Sequence, residues 1–328
     1  MDRKSAVLIA FATAALGLSA CAVQPSQVTL RETAWLSETG LLEALSNEPF
    51  VDREALYAAA LKSELADIYA SPQALRSELL AGEFLFKAPL LLGGQAAKAG
   101  ISCHSCHTNG TDNPHFLFPA VSGESGTADT THSFFSKSLG NQVTDPIAIP
   151  DLTKGGKVAH SMESGELEAF LTTIVVGEFS GVKASPRVIA PMATYVRALR
   201  LTGSMDQTVR PRSLKQDLED VRLTVDQAAR QADDGKSEVA ALLLSSGQSQ
   251  IQSIHERLHR SSHSVLRDWL TARAREMGMM RRRLNAGEGL LKSDLAGLQE
   301  RLSSGPDFSQ AAHNSLYNPA ILANALKR

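Results

Sequence analysis

Cys103-His104-Ser105-Cys106-His107 limits what this 328-residue chain can fold into more than any other stretch. Two thiols three apart, with a histidine directly after them, have the spacing at which each thiol can add to one haem vinyl group. The tight turn between them then sets the next residue, His107, under the iron as proximal ligand. The stretch therefore predicts one covalently attached haem c held by Cys103, Cys106 and His107, with His104 as a spacer and not a ligand. Two other chemistries use related spacings. A structural zinc site wants a second pair of Cys or His ligands at short spacing, and a thioredoxin-type dithiol wants a strand before it; neither context is present.

The chain has three cysteines, and the third, Cys21, ends an export-like N-terminus. Met1-Asp2-Arg3-Lys4 is a charged start, Ala6 to Leu18 is an apolar run, and Leu18-Ser19-Ala20-Cys21 supplies small residues before a cysteine. The run is too short for a transmembrane helix. Leu18-Ser19-Ala20-Cys21 resembles the lipobox of bacterial lipoproteins, which implies a signal peptide over residues 1–20, lipidation of Cys21 and a lipid anchor in the membrane. Ordinary cleavage at Ala20-Cys21-Ala22 would instead release a soluble periplasmic protein. Both routes place the chain on the exported side, where haem is attached to such motifs. Ala22 in place of an aspartate favours the outer membrane, by resemblance to lipoprotein sorting.

About 300 mature residues allow two domains with a sizeable core. Charge is unevenly spread: residues 21–203 carry 13 Lys and Arg against 19 Asp and Glu, net −6, and residues 204–328 carry 18 against 15, net +3. With aromatics at 5% and no basic stretch interleaved with them, nucleic acid is excluded as a partner. The segment 21–83 has apolar residues at helical spacing (Leu56, Ala60, Leu61, Leu65, Ile68), with Asp52 or Asn47 as a cap and Ser71-Pro72 as a helix start. In segment 84–203, Leu90 to Ala97 predicts a short helix ending near Gly100. The polar stretch Thr108 to Asp145 reads as a wrapping loop anchored by Phe116, Phe118, Phe134 and Phe135. Helices follow through Leu167, Leu171 and Val175, and through Ile189, Met192, Tyr195, Val196 and Leu199. Segment 204–328 repeats apolar residues at heptad-like spacing, broken near Gly235, Ser261-Ser262 and Gly287, which predicts three or four bundled helices.

A sixth ligand completes an electron-transfer iron. Met162, in a glycine-flanked loop before a helix, offers a thioether that reaches the metal without burying a charge, and a His/Met pair raises the reduction potential. His160 is the main rival, His115 and His132 are more distant ones, and a five-coordinate iron is the remaining alternative.

Leu91-Leu92-Gly93-Gly94, the run Gly100 to His107, Ile149-Pro150-Asp151-Leu152 and Ser161-Met162-Glu163-Ser164-Gly165 together resemble class I cytochrome c, and within it a single haem domain of the bacterial di-haem cytochrome c peroxidase group. The resemblance covers roughly Phe84 to Leu201, within a cytochrome c domain over 84–203, and implies an all-α fold: a cytochrome c-like haem domain, with flanking helical segments forming a bundle. It also implies that the first and last helices of that domain cross, with Gly93 or Gly94 against Tyr195. The group commonly carries Tyr-Met-His-Asp-Gly in the distal loop; here Met162 aligns, while serine and glutamate replace the tyrosine and histidine. A peroxidase of that group needs two haems and this chain has one Cys-x-x-Cys-His. The implied role is therefore a mono-haem electron carrier serving a redox partner protein, not an enzyme. The alternatives are a haem enzyme or gas sensor with an open iron site, and an envelope scaffold with a structural haem.

Two further groupings carry weaker chemistry. His255, His259 and His263 fall at spacing four and predict a solvated polar face of one helix; a metal site there would need a further ligand. Arg273, Arg275 and Arg281 to Arg283 read as a charged helix surface or a contact for acidic headgroups.

Overall fold

Helices begin where the sequence supplies caps. In the computed structural model, which describes residues 52–119, 121–154, 158–203, 211–288 and 292–327, the Asp52 carboxylate accepts the Glu54 and Ala55 N–H groups at 2.9 and 3.2 Å and opens helix α1 (Arg53–Ala60). After the single turn α2 (Leu65–Ile68), Ser71 Oγ accepts the Ala74 N–H and Pro72 stands first in α3 (Pro72–Phe86), where it has no helical N–H to lose. Of the described residues, 61% are helical and 2% lie in strands, so the chain is all-α. Cys21, the export segment and the lipid-anchor expectation lie outside the described residues.

The helix expected over Leu90 to Ala97 is split into α4 (Pro89–Leu92) and α5 (Gly94–Lys98) at Gly93, whose φ is +66°. A Cβ at Gly93 would stand 2.8 Å from the Gly181 Cα, so the break lets two backbones touch. One turn later comes α6 (Cys103–Cys106). The polar stretch Thr108 to Asp145 is largely loop among the described residues. Phe118, Phe134, Phe135 and Phe179 form one aromatic cluster with ring centroids 5.0–6.2 Å apart. The only strands among the described residues, β1 (Thr127–Ala128) and β2 (Ile147–Ala148), pair antiparallel with Thr127 opposite Ala148. Helix α7 (Glu166–Thr173) widens into a π turn over Ile174–Glu178, and α8 (Pro186–Leu201) follows.

Helices α3 and α8 cross, and Gly82 makes the crossing close. A Cβ there would lie 2.1 Å from the Pro191 carbonyl oxygen and 2.7 Å from Tyr195 Cβ. This corrects the expectation of Gly93 or Gly94 against Tyr195, since those two glycines face the Phe179–Gly181 backbone instead. Because α3 runs continuously from Pro72 to Phe86, the expected division between 21–83 and 84–203 falls inside a helix.

The remaining chain forms α9 (Leu214–Asp233), α10 (Ser237–Arg257), α11 (Ser264–Asn285), α12 (Lys292–Ser303) and the short α13 (Ser309–His313) and α14 (Pro319–Leu326). The breaks at Gly235 and Gly287 both have positive φ. Helix α10 packs between α9 and α11, while α9 and α10 also lie on α3. One contiguous apolar core therefore runs from Leu56 to Tyr317. No described helix is long and apolar enough to cross a membrane. The histidine expectation is corrected here. Helix α10 stops at Arg257, leaving His259 and His263 buried in the corner before α11, where His263 Nδ1 donates to the His259 carbonyl and His259 Nδ1 accepts the Ser262 N–H. They turn the chain and do not line a solvated helix face.

Candidate functional site

The Cys103–His107 turn is fixed by local bonds before any long-range contact is made. Ser102 N–H donates to Ser105 Oγ at 3.0 Å, and the His107 N–H to the Cys103 carbonyl at 2.8 Å. His104 Nδ1 accepts the Asn109 N–H at 3.2 Å, which ties that ring to the turn. Asn113 Nδ2 donates to the Ser105 carbonyl at 2.9 Å and ties in the following loop.

His107 is held by a single polar bond. Its Nδ1 lies 3.0 Å from the Pro150 carbonyl oxygen, and since a carbonyl only accepts, Nδ1 carries the proton. Burial lowers the His107 pKa to about 4, outweighing the Pro150 bond and the charges of Asp112 and Asp151, which act to raise it. The ring is thus neutral at physiological pH, and its Nε2 holds an unprotonated lone pair with no hydrogen-bond partner among the described residues. The Pro150 carbonyl is itself set in place by two backbone bonds, Ile149 N–H to the Gly126 carbonyl at 3.0 Å and Leu152 N–H to the Gly110 carbonyl at 2.8 Å.

Cys103 and Cys106 are free thiols on one helical turn. Burial pushes both up to about 12, with each thiol's neighbourhood offering no cation to offset it. Both thiols are therefore protonated at neutral pH when nothing is bound to them. Among the described residues, no group of three or more His, Cys, Asp or Glu side chains could hold a metal ion. Beside Cys106 lies a small apolar cluster of Phe116, Ala128 and Ile149, with Phe118 packed on it.

Helix α8 supports two arms of the site. On one side the Phe86 ring lies 6.4 Å from His107 and 5.6 Å from Tyr195. Gly110, with φ +90°, lies against Leu199, where a Cβ would come within 2.5 Å of Cδ1. On the other side Arg197 bonds to the His160 and Ser161 carbonyls, just ahead of Met162. Met162 sits half-buried in the turn before α7 and, like Cys103, packs against the main core. His160, the rival ligand, is half-buried with Nδ1 buried and unpartnered; burial, then Arg200 and Arg197, lower its pKa.

Sequence reading alone missed the roles of Pro150, Phe86, Gly82 and Arg197. Arg197 carried the one usable signal, a charge inside the apolar run Tyr195-Val196-Arg197-Ala198-Leu199. Compared with protein-family models, curated proteins and solved structures, the chain finds no match.

Proposed function

We propose that this chain is a mono-haem c-type cytochrome that passes single electrons to and from a redox partner at the cell envelope. The observation that carries the reading is the His107–Pro150 bond: it fixes the Nδ1-protonated tautomer and leaves the Nε2 lone pair free, one residue beyond a pair of uncommitted thiols. The thiols, the free imidazole nitrogen and the apolar cluster beside Cys106 suit a haem: Cys103 and Cys106 would hold it by thioether bonds, and His107 Nε2 and the Met162 sulfur would be the protein's donors to its iron. When bound, the haem supplies a one-electron iron couple.

The protein's own residues hold and tune. Pro150 orients the imidazole and raises its basicity as a donor, Phe116, Ala128 and Ile149 keep the Cys106 side dry, and Met162 brings an uncharged soft donor that favours the reduced state. A single Cys-x-x-Cys-His supports a carrier over a peroxidase. Export, lipidation of Cys21 and attachment to the outer membrane belong to the same proposal and rest on the N-terminal sequence.

The purified full-length protein tests this directly. The expected result is one covalent haem, low-spin in both states, with the weak far-red methionine–iron band in the ferric form, lost in Met162→Ala and kept in His160→Ala. A protein without covalent haem overturns the reading, and a high-spin wild type that binds carbon monoxide readily replaces the carrier with an open-site enzyme or sensor.

A further inference from the structure

Arg197 is a buried cation, 6% exposed, on the helix that also backs His107. Its guanidinium makes four bonds. Nη1 and Nη2 donate to Glu168 Oε1 and Oε2 at 2.7 and 2.8 Å, Nε donates to the His160 carbonyl at 2.8 Å, and Nη2 reaches the Ser161 carbonyl at 3.4 Å. Three separate segments meet there: α8, the first turn of α7, and the backbone immediately before Met162.

That arrangement exceeds what an ion pair needs. A fork-on-fork Arg–carboxylate pair is complete in itself, yet here the remaining edge of the guanidinium is turned onto two successive carbonyls of a loop. Among the described residues the loop is also tied by Ala159 N–H to Glu166 Oε2 at 3.1 Å, Ser164 Oγ to the Ser161 carbonyl at 3.3 Å and Glu166 N–H to Ser164 Oγ at 3.3 Å, while Val158 and Met162 pack on the core. Helix α8 also packs closely on α3 at Gly82, and two residues before Arg197 its Tyr195 meets Phe86 edge to face, with Phe86 beside His107. One helix therefore touches both the surroundings of His107 and the backbone before Met162.

Resting on the haem reading above, we infer that Arg197 is a positioning residue that holds the Met162 turn at the height where its sulfur can ligate the iron, and so sets the strength of the methionine–iron bond and the reduction potential. Glu168 orients the guanidinium for that task.

The test uses the full-length haem-loaded protein with Arg197→Ala, Arg197→Lys, Glu168→Gln and the distant Arg222→Ala as a control. Wild type must first show covalent haem and the far-red band; if it does not, the haem reading has failed and the clamp is not what failed. Given that, Arg197→Ala is expected to lose most of the band, to lower the midpoint potential, and to bind carbon monoxide in the ferrous form about tenfold faster or more, since at least one charge-assisted bond to the loop is gone. Arg197→Lys, which keeps the charge but not the fork, should recover part of each signal, Glu168→Gln should fall between, and Arg222→Ala should match wild type. An Arg197→Ala protein with the wild-type band, potential and carbon monoxide rate overturns the inference. Should that variant fail to fold, Arg197→Lys decides: an unchanged band and potential in it sink the clamp.

Discussion

Two glycines show how single residues divide the work of placing the site. Gly82 has ordinary helical backbone, and alanine would gain about 0.5–1 kcal/mol there from helix propensity alone. Yet its Cβ would meet the Pro191 carbonyl oxygen at 2.1 Å, a backbone atom that cannot rotate away. Gly100 has φ +72° with nothing within 4 Å of an added Cβ, so alanine pays only the left-handed strain of about 1–2 kcal/mol. We expect Gly82→Ala to lose about 1–3 kcal/mol or more by overpacking, to exceed the loss in Gly100→Ala, and to perturb the Tyr195–Phe86–His107 ring contacts. Urea unfolding of the two variants checks this; a Gly82→Ala protein as stable as wild type would mean that the helices part without cost. Gly82 was not legible as a contact residue, because nothing in a run such as Leu80-Ala81-Gly82-Glu83-Phe84 says which neighbour it will meet.

At the scale of elements, a buried charge cluster joins α1, α3 and α9. Glu83 takes Arg53 at 2.6 Å and Lys87 at 2.8 Å, while Asp220 takes Arg53 at 2.7 Å and Arg212 at 2.6 Å. Burial pushes the Glu83 carboxyl up, but Lys87 and Arg53 outweigh it and hold the group well below its ordinary value of 4.5. Asp220 behaves alike: burial raises it, and Lys87, Arg212 and Arg53 bring it below its ordinary range. A carboxylate whose folded-state pKa is depressed adds stability that is fully present above its unfolded pKa and is lost as pH falls below that value. The fold should therefore weaken steeply on acidification below about pH 4.5, the ordinary Glu value. Glu83→Gln should cost about 3–5 kcal/mol at pH 7, because buried Lys87 is left, among the described residues, with only Asp220 at 3.8 Å, and should flatten that acid slope. Thermal unfolding followed from pH 7 to pH 3 measures both; a Glu83→Gln variant with the wild-type slope would assign the acid lability to other carboxylates.

Across the whole molecule, the segment expected to form a separate bundle shares one core with the segment that bears Cys103 to His107. Helices α9 and α10 lie on α3, and buried Asp217 of α9 receives the Tyr317 hydroxyl at 2.5 Å and Arg257 Nη1 at 3.4 Å, which ties the C-terminal stretch to the bundle. The chain should unfold as one cooperative unit, with a single calorimetric transition whose calorimetric and van't Hoff enthalpies agree. Two well-separated transitions would show that the bundle and the site-bearing part are independent. A chain ending at Gly203 strips the α9 and α10 cover from α3 and should be unstable at 25 °C.

Periodicity by itself determined the helices: Leu214, Leu218, Val221, Val225 and Ala228 are all buried on α9, and the breaks fall at the glycines that end helical runs. Caps were equally local, as Asp52 and Ser71 show. The spacing of Cys103, Cys106 and His107 likewise placed two thiols and an imidazole on one turn, because that geometry lies within five residues. What only the tertiary structure decided are the partners brought from far along the chain: Gly82 against Pro191 and Tyr195, Pro150 on His107, and Arg197 on the loop before Met162. Local sequence fixes dihedrals and the periodic side of a helix that turns inward, both short-range effects. Which inward faces meet depends on packing summed over the whole core, and no window of residues contains that sum.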